Sequence, residues 1–202
     1  MKKIALTFDD GPWGPTSPHV IDVLTARKIP ATFMIWGEHA KKYPELLQRE
    51  SQNPLFSFGN HTLNHPHLPE LSLHDAQEQL QMNDQLIESI IHRKPTYIRP
   101  PYGEFTDDLL NIFDRPAIIW SLDTKSWDHH DSQKVVQNIK AAQDGDVVLM
   151  HDFQPADANA IEDVLDTLSK NDFRCCSLEE LLGKKRMQHA KVIYSNNKII
   201  HD

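Results

Sequence analysis

The sequence predicts a single α/β domain in which parallel strands alternate with helices. Short apolar runs alternate with longer amphipathic stretches about seven times, a pattern that indicates parallel strands joined by right-handed crossovers. The chain has 202 residues, of which 39% are hydrophobic and 25% are charged. This length and balance are typical of one globular domain. A TIM-like barrel and an open doubly wound sheet both fit the alternation.

Seven short apolar runs are the predicted strands, and six amphipathic stretches between them are the predicted helices. The strands are expected at residues 4–8, 31–35, 55–58, 96–98, 117–120, 147–150 and 173–176. The helices are expected at residues 18–26, 38–49, 73–91, 107–113, 132–142 and 156–169.

Capping residues and prolines support several of these boundaries. Ser72, followed three residues later by Asp75, is typical of a helix start, and so is Ser17 before Pro18. Pro30 and Pro95 end the preceding helices because proline cannot continue a helix.

The last part of the chain differs from the alternating pattern. We expect a catalytic domain over residues 1–183 and a C-terminal tail over residues 184–202, which begins with a basic break at 184–186. Two short apolar runs flank Ser195-Asn196-Asn197, and asparagine accepts the left-handed turn positions of a hairpin. The tail is therefore predicted to form a β-hairpin that covers one end of the sheet.

The charge balance argues against a general nucleic-acid binder. The chain has 21 Lys and Arg against 29 Asp and Glu, a net charge of −8 with histidine neutral. Phosphate binding requires the opposite excess. No apolar run approaches the roughly 20 residues of a membrane-spanning helix, so no membrane span is expected. Asp9 and Asp10 end the first apolar run too early for a signal peptide, which predicts a cytoplasmic location if the chain is full length. The oligomeric state leaves no trace in the sequence.

Side chains with catalytic potential follow five predicted strands at their carboxyl ends. In parallel α/β folds, sites form at this face because the loops after the strands converge there. The residues concerned lie at 9–11, 59–65, 99–103 and 123–127, and at His151.

His61 and His65 have the spacing that places two imidazoles on one face of a helical turn. Together with Asp10 they would supply three ligands and leave positions open for water and substrate, as in catalytic zinc sites. Asp9 would then remain free as a base. Two surface histidines beside an ordinary Asp-Gly turn are the alternative interpretation.

Five short motifs, in order and at strand ends, resemble those of the polysaccharide deacetylases, which are carbohydrate esterase family 4 with the NodB homology domain. They are Thr7-Phe8-Asp9-Asp10-Gly11, His61-Thr62-Leu63-Asn64-His65, Arg99-Pro100-Pro101-Tyr102-Gly103, Trp127 and Leu149-Met150-His151. Each motif is weak alone, but five in this order are specific. The resemblance implies a distorted (β/α)7 TIM-like barrel and metal-dependent removal of acetyl groups from N-acetylated sugars.

The resemblance also implies a metal site and its ligands. Asp10, His61 and His65 resemble the residues that hold one divalent metal ion. Zinc is the expected metal, although cobalt, nickel and manganese also suit imidazole and carboxylate ligands.

Further roles follow from the same resemblance. Asp9 resembles the general base, Arg99 the residue that holds this base in place, and His151 the general acid. The backbone N–H of Tyr102 resembles an oxyanion donor. Trp127 and Leu149 resemble the walls of the pocket for the acetyl methyl group.

One position departs from the family pattern. The fourth motif usually carries Asp directly before Trp, and this chain has Ser126 there. Since serine brings no charge, we expect a nearby carboxylate to raise the pKa of His151 less than in the family. Asp123 and Asp128 are the candidates to replace the missing carboxylate. An altered rate and pH optimum are expected, with inactivity the less favoured outcome.

The sequence thus predicts a hydrolase of linear amides, an N-deacetylase for oligo- or polysaccharides that contain N-acetylglucosamine. An acetyl-ester hydrolase on the same fold is one alternative, and a glycan-binding pseudoenzyme, suggested by Ser126, is another. A non-haem iron oxygenase also uses two histidines and a carboxylate, but it would leave Asp9 and His151 without a purpose.

Overall fold

The computed structural model describes residues 1–201 of the chain, and the strands of this part form one sheet. They are β1 (Lys2–Asp9), β2 (Ala31–Ile35), β3 (Phe56–Asn60), β4 (Tyr97–Ile98), β5 (Ala117–Ile118), β6 (Leu122–Asp123), β7 (Val147–His151), β8 (Phe173–Cys175), β9 (Ala190–Ser195) and β10 (Lys198–His201).

Ten α-helices lie within the same described part of the chain. They are α1 (Ser17–Ala26), α2 (Gly37–Lys42), α3 (Pro44–Ser51), α4 (Leu73–Ile91), α5 (Asp107–Ile112), α6 (Ser126–His129), α7 (Ser132–Ile139), α8 (Pro155–Lys170), α9 (Leu178–Leu182) and α10 (Lys184–Met187).

The sheet curls back on itself as a distorted barrel of parallel strands. Its order is β10-β9-β5-β4-β3-β2-β1-β7-β6, with β8 also paired to β1. β5 pairs with β4, and β6, four residues later in the chain, pairs with β7, so the segment 117–123 joins the two sides of the sheet. All of these pairs are parallel except β9 with β10. The predicted α/β class and the distorted (β/α)7 barrel are confirmed.

Alternation along β1 explains how the site residues reach the barrel interior. Ile4, Leu6 and Phe8 pack in the large apolar cluster that also contains α1 and α8 residues. Ala5 packs instead in a second cluster with the inward side chains of neighbouring strands. Because successive side chains point to opposite faces, Asp9 at the end of β1 lies on the interior side with Ala5.

The predicted helix over residues 38–49 is wrong in one respect, because it is two helices, α2 and α3. The break lies at Tyr43, and Pro44 begins α3. Proline has no N–H to donate and crowds the preceding turn, so the first helix ends before it.

The last two strands form an antiparallel hairpin whose first strand belongs to the sheet. β9 pairs with β5 in parallel, with Ala117 opposite Val192 and Ile118 opposite Ile193. Ile193 also packs in the same interior cluster as Ala5. The hairpin therefore contributes to the core inside the barrel.

Within residues 1–201, no helix is both long enough and apolar enough to cross a bilayer.

Candidate active site

The carboxyl ends of four strands bring the candidate residues together. Asp9 is the last residue of β1 and lies in register with His151, the last residue of β7. His61 follows β3 directly, and its backbone N–H donates to Ile35 at the end of β2. Arg99 follows β4 directly. Parallel strands place these ends at one edge of the sheet, as predicted.

These residues surround a cavity of about 270 Å³. Most of its lining is shared with the candidates predicted from sequence, and the full set is Asp9, Asp10, His61, His65, Tyr102, Trp120, Asp123, Trp127, Leu149 and His151. Arg99 lies fully buried behind this lining. The roles assigned to these residues stay predictions, since their proximity alone does not test them.

A set of metal donors lies on one side of the cavity. Nε2 of His61 and Nε2 of His65 each lie 3.3 Å from Oδ1 of Asp10, and one donor atom from each residue lies within 4.8 Å of the others. Nδ1 of His61 contacts the Arg99 carbonyl oxygen at 2.7 Å. A carbonyl can only accept, so Nδ1 carries the proton and Nε2 is left as a ligand.

Asp10 has the electrostatics of a metal ligand. Its Oδ1 is buried and accepts no hydrogen bond. Burial raises the pKa of Asp10, but its contact with the His61 imidazole and the proximity of His151 and His65 hold it well below its ordinary value. A buried, ionised and unpaired oxygen between two imidazoles fits a divalent ion.

The histidines respond to the same charges in opposite ways. Burial and the proximity of His61 lower the pKa of His65 to about 4, which keeps it neutral. Burial lowers the pKa of His61, but Asp9 and Asp10 outweigh it and raise the value. The two carboxylates therefore favour the protonated form of His61, and metal binding would displace that proton.

Arg99 holds Asp9 from inside the barrel. Its Nη1 donates to Oδ1 of Asp9 at 2.5 Å and to Oγ1 of Thr7 at 2.9 Å. Nε and Nη2 donate to the carbonyl oxygens of Ile118 and Ile119. The other carboxylate oxygen of Asp9, Oδ2, lies 3.6 Å from Nε2 of His61. One oxygen is thus fixed, and the other faces the metal donors.

The carboxylate beside His151 is neither of the two that the sequence suggested. Asp123 accepts from the Lys125 N–H and from Nε1 of Trp127, and Asp128 is exposed. Asp157 of α8 lies there instead, with Oδ2 3.8 Å from Nδ1 of His151.

A carboxylate thus lies close to His151 although Ser126 brings no charge. Burial lowers the pKa of His151, but the nearby carboxylates of Asp157, Asp10 and Asp9 raise it to about 9. A histidine with this pKa is protonated at neutral pH, the state that a general acid requires.

Two exposed aromatic side chains line the mouth of the cavity. Tyr102 is 52% exposed and Trp127 is 51% exposed. Tyr102 stacks on His67, with ring centroids 4.0 Å apart, and contacts the edge of His65. Leu149 is buried and gives the cavity an apolar wall.

The sequence reasoning missed two residues near the site. Trp120 lines the cavity and lies over the Arg99 guanidinium, with Cζ 5.7 Å from the ring centroid. Its position at the end of a predicted strand, where site residues are expected, could have identified it. Asp157 carried no such signal, because an acid in the first turn of a helix is common.

The comparisons with known proteins agree with this geometry. Residues 1–115 match the family described as polysaccharide deacetylase. Peptidoglycan-N-acetylmuramic acid deacetylase PdaC of Bacillus subtilis is 32% identical over 191 residues, which cover 94% of this chain and 41% of that protein. The chain thus spans about two fifths of the length of PdaC.

A second relative is similar over most of both lengths. Chitooligosaccharide deacetylase of Sinorhizobium fredii is 33% identical over 165 residues, which cover 79% of this chain and 76% of the relative. The solved structure of PdaC has a TM-score of 0.86 at 32% identity and covers 93% of each chain.

Proposed function

Because the chain belongs to the polysaccharide deacetylase family, we propose that it is a metal-dependent hydrolase that removes acetyl groups from glycans containing N-acetylglucosamine. One observation carries this proposal. A single cavity gathers the donors of Asp10, His61 and His65 together with a carboxylate outside the donor set, Asp9, and an imidazole, His151.

The names of the two relatives support the substrate class. PdaC is named for N-acetylmuramic acid in peptidoglycan, and the Sinorhizobium protein for chitooligosaccharides. Both substrates carry an acetamido group on a glucosamine-type ring. The acetamido group is therefore the part of the substrate that we assign to the cavity.

One divalent metal ion would be held by Oδ1 of Asp10 and the Nε2 atoms of His61 and His65. Two nitrogen donors and one oxygen donor suit zinc, which we propose first, and also cobalt, nickel or manganese. When bound, such an ion supplies Lewis acidity toward the acetyl carbonyl and lowers the pKa of water.

Asp9 and His151 then carry out the two proton transfers of the reaction. Asp9 takes a proton from the attacking water through Oδ2, while Arg99 holds the carboxylate in place through Oδ1. His151 gives its proton to the amide nitrogen as the C–N bond breaks, so that the sugar amine leaves neutral. The backbone N–H of Tyr102 would stabilise the charge that develops on the carbonyl oxygen.

The apolar and aromatic residues would position the sugar. Leu149 and Trp127 would enclose the acetyl methyl group, because both line the cavity. The exposed rings of Tyr102 and Trp127 would contact sugar faces at the rim.

The first experiment measures acetate release from N-acetylglucosamine oligomers of increasing length. The protein is stripped of metal and then reloaded with zinc or cobalt, and acetylated xylan is tested in parallel. We expect metal-dependent release from the oligomers. Release from xylan alone would instead indicate an O-esterase, and no release from either, with one metal bound per chain, would contradict the proposal.

A further inference from the structure

The buried carboxylate of Asp157 lies beside His151, on the helix that follows this histidine in the chain. Asp157 is in the first turn of α8 and is completely buried. Its Oδ2 accepts the backbone N–H of His151 at 2.7 Å and also the hydroxyl of Ser126. Its Oδ1 accepts the hydroxyl of Thr124 at 3.1 Å. Each of these donors lies in a segment that borders the cavity.

His151 is the group that can balance the charge of Asp157. Within residues 1–201, Asp157 has one ion-pair contact shorter than 4 Å, which is with Nδ1 of His151 at 3.8 Å. A buried carboxylate is costly unless it is paired and hydrogen-bonded. Ser126 contacts both groups, since its Oγ also lies 3.5 Å from Nδ1 of His151.

Helix capping does not account for this arrangement. An acid in the first turn commonly accepts its own helix N–H groups or interacts with the helix dipole. Asp157 instead accepts hydrogen bonds from His151, Ser126 and Thr124, all of which precede α8. The carboxylate is directed away from its helix and toward the site.

We propose that Asp157 is the positioning residue for His151, and that it supplies the carboxylate that Ser126 lacks. It holds the Nδ1 side of the imidazole, so that Nε2–H is available to the leaving nitrogen, and Ser126 fixes the carboxylate by donating to it. This inference rests on the proposed function, in which His151 is the acid. The other charged groups that act on His151 are Asp9 and Asp10 at the end of β1, and Asp152 directly after β7.

The kinetic test first removes the negative charge of Asp157 and then places a carboxylate at position 126 instead. In Asp157→Asn we expect kcat to fall about 10- to 100-fold, with KM little changed and the alkaline limb of the kcat profile at lower pH. In the double variant S126D/D157S, the carboxylate moves from position 157 to position 126, and we expect most of the lost kcat to be recovered. Asp163→Asn, an exposed position on the same helix, is the matched control.

A second readout needs no substrate. In the zinc-loaded protein, nitrogen NMR of the His151 ring, assigned with His151→Gln, reports the tautomer and the pKa. We expect neutral wild-type His151 to carry its proton on Nδ1, facing Asp157, and its pKa to fall in Asp157→Asn.

These measurements separate the two proposals. If the wild type releases no acetate, the proposed function fails while the NMR titration still decides the role of Asp157. An unchanged His151 pKa in Asp157→Asn, or no recovery in the double variant, would assign Asp157 a purely structural role. An Nε2–H tautomer in the wild type would overturn the inference without any variant.

Discussion

Arg99 donates from Nη1 to Oδ1 of Asp9 at 2.5 Å, inside a barrel where the arginine side chain has no exposed surface. Since a guanidinium stays protonated, Asp9 always faces a positive charge on one oxygen. Its other oxygen, Oδ2, faces the metal donors and lies 3.6 Å from Nε2 of His61. This pairing separates the carboxylate proposed as base from the carboxylate proposed as metal ligand, although the two are adjacent in sequence.

The first prediction concerns the base. Asp9→Asn keeps the size of the side chain but cannot accept a proton, so we expect kcat to fall about 10²- to 10⁴-fold with the metal still bound. Steady-state kinetics and metal analysis on the same sample measure both quantities. Asp10→Asn is the control, and it should lose metal. Full turnover in Asp9→Asn would remove Asp9 from the role of base.

The second prediction concerns the arginine. Arg99 makes four hydrogen bonds with buried acceptors, and lysine cannot satisfy all of them from one point charge. We expect Arg99→Lys to lose about 3 kcal/mol of stability in urea unfolding and to lower kcat more than it changes KM. The exposed ion pair of Arg27 with Asp166 offers a control, since Arg27→Lys should change stability by less than about 1 kcal/mol. Equal effects of both substitutions would contradict the structural argument.

The third prediction concerns the metal ligands. His61→Ala removes a buried Nε2 donor, so metal content and activity should fall together. His67→Ala is the matched control, because His67 is exposed, stacks on Tyr102 and pairs with Glu104 outside the donor set. Titration of the stripped proteins with zinc, followed by metal analysis, measures the loss. A full metal complement in His61→Ala would contradict the ligand assignment.

The sequence was sufficient for features that depend on local pattern. The alternation of apolar runs predicted the strands, and the ends of these strands predicted where Asp9, His61 and His151 meet. Such predictions succeed because parallel strands share one direction, so their carboxyl ends meet at one edge.

Features that depend on side-chain packing could not be predicted in the same way. Asp157 was missed because the crossover between β7 and α8 determines which turn of the helix faces Ser126 and His151. The break between α2 and α3 was missed because the hydrophobic period continues through Pro44. Sequence spacing describes one element at a time, whereas these contacts depend on the way two elements pack.

The last prediction concerns two buried acids behind the site, Glu50 of α3 and Asp152 after β7. Both oxygens of Glu50 are buried and lack a hydrogen-bond partner, as does Oδ1 of Asp152. Burial raises the pKa of Glu50 well above its ordinary value, and the charge of Asp152 raises it further. Burial likewise raises the pKa of Asp152, to about 7, against the lowering effect of the Ser17 hydrogen bond.

The sign of the pH dependence follows from these directions. An acid whose pKa is higher in the folded than in the unfolded protein binds more protons in the folded state. The stability that its protonated form contributes is therefore lost as the pH rises above the unfolded pKa. Glu50→Gln removes one such group and offers an amide donor to Asp152. The melting temperature of this variant should therefore exceed that of the wild type at about pH 8, and the difference should shrink at about pH 5. Glu45→Gln, an exposed position on α3, is the control, and a difference that does not vary with pH would show that Glu50 is not held protonated by the fold.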